Sequence, residues 1–182
     1  MKKKILILAG GFSREREISL KTAKGVYNQI KRKYYVKIYE PNGDLIRNLR
    51  SFKPDVVFNA LHGRYGEDGY VQSILESEKI KYTHSGVLAS SIAIDKEISK
   101  KIFIKKNILT PKYFKFKFKK SKKISELRKK IKSKLGFPVV IKPFNEGSSV
   151  EVYICSEKNL FKNLRKLAGY KEIMIEKYIQ EE

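Results

Sequence analysis

Apolar residues in the first half of the chain fall in short runs separated by stretches of helical spacing, and that alternation predicts the fold class. Residues 4–9 (KILILA) read as a buried strand, and Gly10, Gly11, Phe12 and Ser13 as a tight turn. Ala23, Val26, Tyr27 and Ile30 then recur at helical intervals. A second strand is predicted over Tyr35–Tyr39, closed by the turn residues PNGD at 41–44. A short helix over 45–51, a strand over 56–60, a helix over 70–78 and a short strand near 80–82 complete the series. Strands alternating with helices imply a parallel sheet covered on both faces.

The pattern changes after Gly86. Residues 90–107 read as one helix, with Ile98, Ile102 and Phe103 at helical spacing. Thr110 and Pro111 lead into YFKFKFK (113–119), whose strict alternation puts Phe114, Phe116 and Phe118 on one face and Lys115, Lys117 and Lys119 on the other. That predicts a half-buried strand rather than a platform on which bases stack. A basic helix over 125–135, a strand over Val139–Lys142, a Gly-Ser turn, a returning strand over 150–155, a helix over 157–168 and a strand over 172–176 follow. This order predicts a small α+β module after the parallel one. The chain shows no internal repeat and no low-complexity linker.

Composition narrows the classes. A chain of 182 residues suffices for one ordinary domain or two small ones, and 41% apolar with 12% aromatic residues argues for a folded protein. Cys155 is the single cysteine, which excludes an internal disulfide and fits a reducing cytoplasm. With only His62, His84 and one thiol, a zinc site of His and Cys is disfavoured. The amino-terminal apolar run is short and meets Arg14, Glu15, Arg16 and Glu17 where a leader's cleavage site should lie, so it reads as a strand. No other run is long enough to cross a bilayer, and no membrane partner is expected. The formal charge of +22 invites a nucleic-acid reading. Lysine dominates it, spread over 31–33, 100–106, 112–123 and 128–134 in patterns that suit solvated faces, so no nucleic-acid partner is expected.

Candidate chemistry concentrates in a few segments. In GFPVVIKPFNEGSSV (136–150) an apolar run ends on Lys142 and a Gly-Ser-Ser turn follows. A strand end fixes the ammonium, and small residues let backbone N–H groups approach phosphate oxygens, although an ordinary hairpin has the same residues. Glu15 and Glu17 stand at the start of a helix after a strand, where they either complement the helix dipole or face a ligand at the carboxyl end of the sheet. The loop ALHGRYGEDG (60–69) holds three glycines, His62, Glu67 and Asp68, more than a plain turn requires. Lys96, after Asp95, carries little weight alone.

Taken together, GGFSREREISL, ALHGRYGEDG, YTHSGVLASSIAIDK, GFPVVIKPFNEGSSV and IEKYI stand in the order found in D-alanine–D-alanine ligases. The chain resembles that ATP-grasp family over essentially its whole length. The resemblance implies an α/β fold: a three-layer parallel-sheet, pre-ATP-grasp substrate-binding domain over 1–88, then the α+β first half of an ATP-grasp domain over 89–182, the second half absent. It implies ATP-dependent joining of two D-alanines through an acyl phosphate, for peptidoglycan synthesis in the cytoplasm. Glu15 would hold the first D-alanine's ammonium, His62 would lie near its carboxylate, and Ser148 would link Glu15 to the lid over the reaction centre. Lys96 and Lys142 would contact the ATP phosphates. Glu176 would accept from the adenine amino group, with the backbone of Lys177 and Ile179 on the ring edge and Tyr178 as the hinge aromatic. Mg2+ or Mn2+ would bridge the phosphates, and a homodimer would form through the amino-terminal domain. Glu151 departs from the family, where glycine is frequent.

In the family about another 100 residues follow the hinge, a domain's worth. They carry the metal ligands, an arginine for the tetrahedral intermediate and second-substrate contacts. The 182-residue chain by itself is therefore expected to hold no metal ligand, to be inactive, and to expose apolar surface at its last strand. The alternatives are a non-catalytic binding or dimerisation homologue, a ligase using D-lactate as second substrate, and, on charge alone, a nucleic-acid module.

Overall fold

Strand β1 (Lys4–Leu8) is the axis of the first of two units, Met1–Ile94. The computed structural model describes residues 2–118, 124–144 and 151–180. β1 pairs in parallel with β2 (Tyr35–Tyr39) on one side and β3 (Val56–Asn59) on the other. Side chains alternate across a strand, so Leu6 and Leu8 enter one core while Ile5, Ile7 and Ala9 enter another. The first core is closed by Leu45 and Leu49 of α2 (Leu45–Phe52) and Val71 and Leu75 of α3 (Tyr70–Ser77). Ala23 of α1 (Arg16–Ile30), with Leu20, Val26, Tyr27 and Ile30 beside it, closes the second. The sheet is thus covered on both faces, as its continuous apolar strands require.

The strand expected near 80–82 is reduced to one parallel bridge, Tyr82 to Val57. Lys79 (φ 56°) and His84 (φ 82°) flank it in the left-handed region, which leaves little extended backbone to pair. α4 (Val87–Ile94) ends the unit.

The single helix expected over 90–107 is two helices. Asp95 is extended (φ −86°, ψ 104°) and its carboxylate accepts from the N–H groups of Glu97 (2.8 Å) and Ile98 (3.0 Å), capping α5 (Lys96–Lys105). Aspartate satisfies orphan N–H groups better as a cap than in a helix interior. The division into units, with Asp95–Glu182 as the second, falls at this cap.

The second unit holds an antiparallel sheet in the order β4-β7-β5-β6, built from β4 (Tyr113–Lys117), β5 (Val139–Lys142), β6 (Tyr153–Cys155) and β7 (Glu172–Lys177). One face carries Phe116, Ile141, Ile173 and Ile175, packed on Leu127 and Ile131 of α6 (Ile124–Lys134) and Leu160 and Leu164 of α7 (Leu160–Lys166). The Phe/Lys alternation is a half-buried strand as expected. Phe114 and Phe118 pack on this core, and Lys115 faces away from it.

The expected apolar exposure at the last strand is not found. Ile173, Met174 and Ile175 are completely buried: β7 lies between β4 and β5, with Ile173 and Ile175 packed in the core that α6 and α7 close and Met174 on the opposite face. Exposed apolar side chains occur instead at Leu88 of α4 and at Ile104, Ile108 and Leu109 in and after α5.

Candidate functional site

In the first unit the loops that follow β1 and β3 are neighbours, because those strands are paired. Ser19, wholly buried in the first turn of α1, joins them. Its Oγ accepts from the Gly10 N–H (2.7 Å) and donates to the Ala60 carbonyl (2.7 Å). Glu15 immediately precedes α1 and is 9% exposed. Its carboxylate lies against Gly63, where an added Cβ would stand 3.0 Å from Oε2. Gly63 has φ +67°, so this close passage and this backbone both favour glycine.

His62, one residue earlier, has a polar side chain near each ring nitrogen. Nε2 lies 3.4 Å from Thr22 Oγ1 and Nδ1 3.4 Å from Glu67 Oε1. It borders a cavity of about 210 Å³ shared with Thr22, Glu67, Gln72 and His84, and a groove of about 680 Å³ shared with Gly11, Phe12 and Tyr65. The structure therefore brings Glu15 and His62 to one end of one sheet.

Polar contacts fix this loop. Asn59 Nδ2 and Gln72 Nε2 both donate to the Gly66 carbonyl at 2.8 Å, and Leu61 N–H donates to Asn59 Oδ1 at 3.2 Å. Asp68 accepts from the N–H groups of Tyr65 (2.9 Å) and Tyr70 (3.1 Å). Across the first turn, Glu40 accepts from Gly11 N–H (2.9 Å) and both arms of Arg16 (2.6 and 2.8 Å). The Arg16 hydrogen bond holds the Glu40 carboxyl below the usual carboxylate range.

The second unit has a polar sheet face opposite its core. Glu172, Met174 and Glu176 of β7 alternate with the core isoleucines and share that face with Tyr113, Lys115 and Lys117 of β4 and Lys142 of β5. Each of three glutamates there meets two lysines. Glu97 meets Lys101 (3.0 Å) and Lys115, Glu172 meets Lys115 (2.9 Å) and Lys117 (3.6 Å), and Glu176 meets Lys100 (3.0 Å) and Lys142. Hydrogen bonds to Lys115 lower the carboxyls of Glu97 and Glu172, and the same bonds raise the Lys115 ammonium. Lys96 donates to the Phe144 carbonyl (3.2 Å), so its ammonium and that of Lys142 belong to the same end of β5.

The backbone after Glu176 is partly engaged. Lys177 N–H donates to Lys112 O (2.8 Å) and Tyr178 N–H to Pro138 O (3.4 Å), while the Ile179 side chain is exposed. Ser148 and the Gly-Ser turn lie outside the described residues. Glu151 has φ +55°, the left-handed region that favours glycine, and accepts from the Tyr170 hydroxyl.

Four positioning residues escape sequence reasoning: Ser19, Asn59, Gln72 and Lys100. Ser19 sits four residues before Ala23 on the inward stripe of α1, and Asn59 interrupts a buried strand, so both carry a signal as polar residues at core positions. Lys100 carries none, standing among 41 lysines and arginines.

Fold and site define a two-unit α/β protein with a carboxylate–histidine loop pair in one unit and a lysine-rich sheet face in the other. Family models agree along the chain: the D-ala D-ala ligase N-terminus matches residues 41–85 and the D-ala D-ala ligase C-terminus matches residues 102–182. The D-alanine–D-alanine ligase of Pelagibacter ubique is 63% identical over 180 residues, covering 98% of this chain. That of Carboxydothermus hydrogenoformans is 39% identical over 181 residues, covering 97%. Among solved structures, the D-alanine–D-alanine ligase of Bacillus anthracis superposes with a TM-score of 0.81 at 36% identity, covering 98% of this chain and 58% of its own. Its complex with ATP gives 0.78 at 34%, covering 98% and 59%. The chain belongs to the D-alanine–D-alanine ligase family. It spans 59% and 58% of the length of the Pelagibacter and Carboxydothermus relatives.

Proposed function

We propose that this chain supplies the first-substrate loops and the nucleotide-facing sheet of a cytoplasmic ATP-dependent D-alanine–D-alanine ligase. The observation that carries the reading is the buried Glu15 carboxylate against Gly63, beside His62, in a chain so close to a protein named for that activity. The two units correspond to a substrate-binding domain and the first half of an ATP-grasp domain, and the ligase's remaining length carries the other half.

Glu15, at the floor of its loop, offers an anion to a substrate ammonium, and His62 offers a ring N–H to its carboxylate. Lys96 and Lys142, at one end of β5, suit phosphate oxygens, while Glu176 accepts from the adenine amino group. The backbone of Lys177 and Ile179 reads the ring edge beside the hinge aromatic Tyr178; the N–H groups of Lys177 and Tyr178 already donate to Lys112 O and Pro138 O. Ser148, which lies outside the described residues, keeps its proposed role as the loop serine of the first-substrate site.

The substrate carboxylate attacks the γ-phosphorus of ATP, forming an acyl phosphate and ADP. The amine of the second D-alanine then adds to the acyl carbon, a proton leaves the nitrogen, and phosphate departs with the C–O bond electrons. The cations neutralise the transferring phosphoryl group and the loops position the amino acid. Among the described residues no group of three or more His, Cys, Asp or Glu is placed to hold a metal, and the magnesium ligands are proposed to lie in the ligase's remaining length. When bound, magnesium would neutralise phosphate charge. Association through the first unit as a homodimer belongs to the same reading, and sedimentation checks it.

The test uses protein expressed from the complete gene, given ATP, magnesium and D-alanine. The expected products are D-alanyl-D-alanine, ADP and phosphate in equal amounts. Glu15→Gln should raise KM for the first D-alanine by about 10- to 100-fold, the worth of a hydrogen bond to a charged group. Absence of dipeptide, or an unchanged KM, would overturn the reading. Product formed only with added D-lactate would reassign the second substrate.

A further inference from the structure

Lys100 belongs to no motif, yet it is one of the few charged residues among those described that are buried, at 7% exposure. An ammonium has three N–H donors, and all three are used here. Lys100 Nζ lies 2.7 Å from Thr110 Oγ1, 2.9 Å from the Pro111 carbonyl and 3.0 Å from Glu176 Oε2. Two of these acceptors are neutral groups in the segment between α5 and β4. They would hold the ammonium in place whatever Glu176 does. Tyr113 closes over it, its ring centroid 5.1 Å away.

Glu176 in turn has its two oxygens engaged differently. Oε2 meets Lys100, and Oε1 meets Lys142 at the end of β5. The Lys142 side chain is 19% exposed, against 8% for Lys100. The carboxylate therefore lies between one ammonium built into the fold and one on a partly open strand end.

We propose that Lys100 is the fixed counterion that positions Glu176, and that Lys142 is an exchangeable one, leaving Oε1 for the nucleotide base when a phosphate takes its ammonium. The inference rests on the reading above, in which Glu176 accepts from the adenine amino group and Lys142 serves the phosphates. Lys100 touches no ligand in it. It fixes one carboxylate oxygen so that the other points at the base without rearrangement, and it keeps an uncompensated carboxylate from being left buried when Lys142 turns away.

The experiment compares ATP with ITP, which has an oxo group in place of the 6-amino group, by equilibrium binding to protein from the complete gene. Wild type should prefer ATP by about tenfold or more, the range of a hydrogen bond to a charged group. Lys100→Met should lower that preference to about threefold or less, and Lys100→Arg should recover part of it. Lys101→Met, on the neighbouring exposed lysine, should leave it unchanged. A merely structural lysine would weaken both nucleotides alike and keep the ratio.

If Lys100→Met does not fold, Thr110→Val replaces it. That variant removes one neutral anchor and should move the ratio the same way by a smaller factor. A wild type that does not distinguish ATP from ITP overturns the adenine role of Glu176, and this inference with it. A wild type that does distinguish them, with both variants keeping the full ratio, overturns Lys100 alone.

Discussion

Ser19→Ala is the sharpest test of how the first unit is built. The substitution removes one oxygen and leaves almost no void, so lost packing contributes little. What it leaves is the Gly10 N–H and the Ala60 carbonyl, both previously 2.7 Å from an Oγ in a completely buried residue. A buried polar group without its partner costs about 1–3 kcal/mol, so two such groups sum to about 2–4 kcal/mol after local relaxation. With two units in the chain, one unfolding midpoint is a poor measure. Residue-resolved hydrogen exchange reads the loss where it falls. Protection should drop at Gly10 and along β1 and β3. Ser77→Ala removes an exposed hydroxyl that donates back to Ile74 O (2.8 Å) and should stay within about 0.5 kcal/mol of wild type. Equal losses in the two variants, or less than about 0.5 kcal/mol in Ser19→Ala, would refute the idea that this serine ties the two loop-bearing strands together.

Gly66→Ala should cost about 2–4 kcal/mol, because the new Cβ would stand 2.8 Å from the Leu61 carbonyl carbon and displace the oxygen that Asn59 and Gln72 grip. Residue-resolved hydrogen exchange over residues 59–72 checks it, and a change under about 0.5 kcal/mol would sink it. Tyr82 should titrate at about 12 rather than 10.0, pushed up first by burial and then by its hydrogen bond to Glu76 (2.6 Å). Since the folded-state value is the higher one, its contribution to stability is complete below the ordinary value of 10.0 and fades as pH rises through about 12. Ultraviolet phenolate titration measures this. Glu76→Gln should remove only part of the shift, and ionisation of Tyr82 at its ordinary value in wild type would contradict the assignment.

Much of the architecture was legible because two periods were unmistakable. The run at residues 4–8, buried on both faces, and the Phe/Lys alternation at 113–117 could hardly be other elements, and the structure has them as β1 and β4. The break at Asp95 was missed because apolar spacing continues through it, while the deciding event is a local bond from one carboxylate to two N–H groups. The short strand near 80–82 failed for a backbone reason, left-handed residues on either side, that composition does not reveal. Glu15 and His62 stood out by residue type, but Ser19 and Lys100 act by tying together segments far apart in sequence. Spacing alone cannot display such ties.

The charge of +22 looks different once partners are assigned. On the polar face of the second sheet, Glu97, Glu172 and Glu176 are each shared by two lysines, and Lys115 is common to two of those pairs. Among the described residues, five lysines meet three carboxylates in these clusters, a local excess of two positive charges; Lys100, Lys115 and Lys142 are largely buried, whereas Lys101 and Lys117 are exposed. A duplex needs a long row of free cations spaced to follow its phosphates. A compact excess in which Lys142 is the more exposed partner of Glu176, and Lys100 the more buried one, suits a ligand that brings several negative charges to one place and draws off the more exposed ammonium. Lysine number alone would favour the first kind of ligand, whereas lysine placement favours the second.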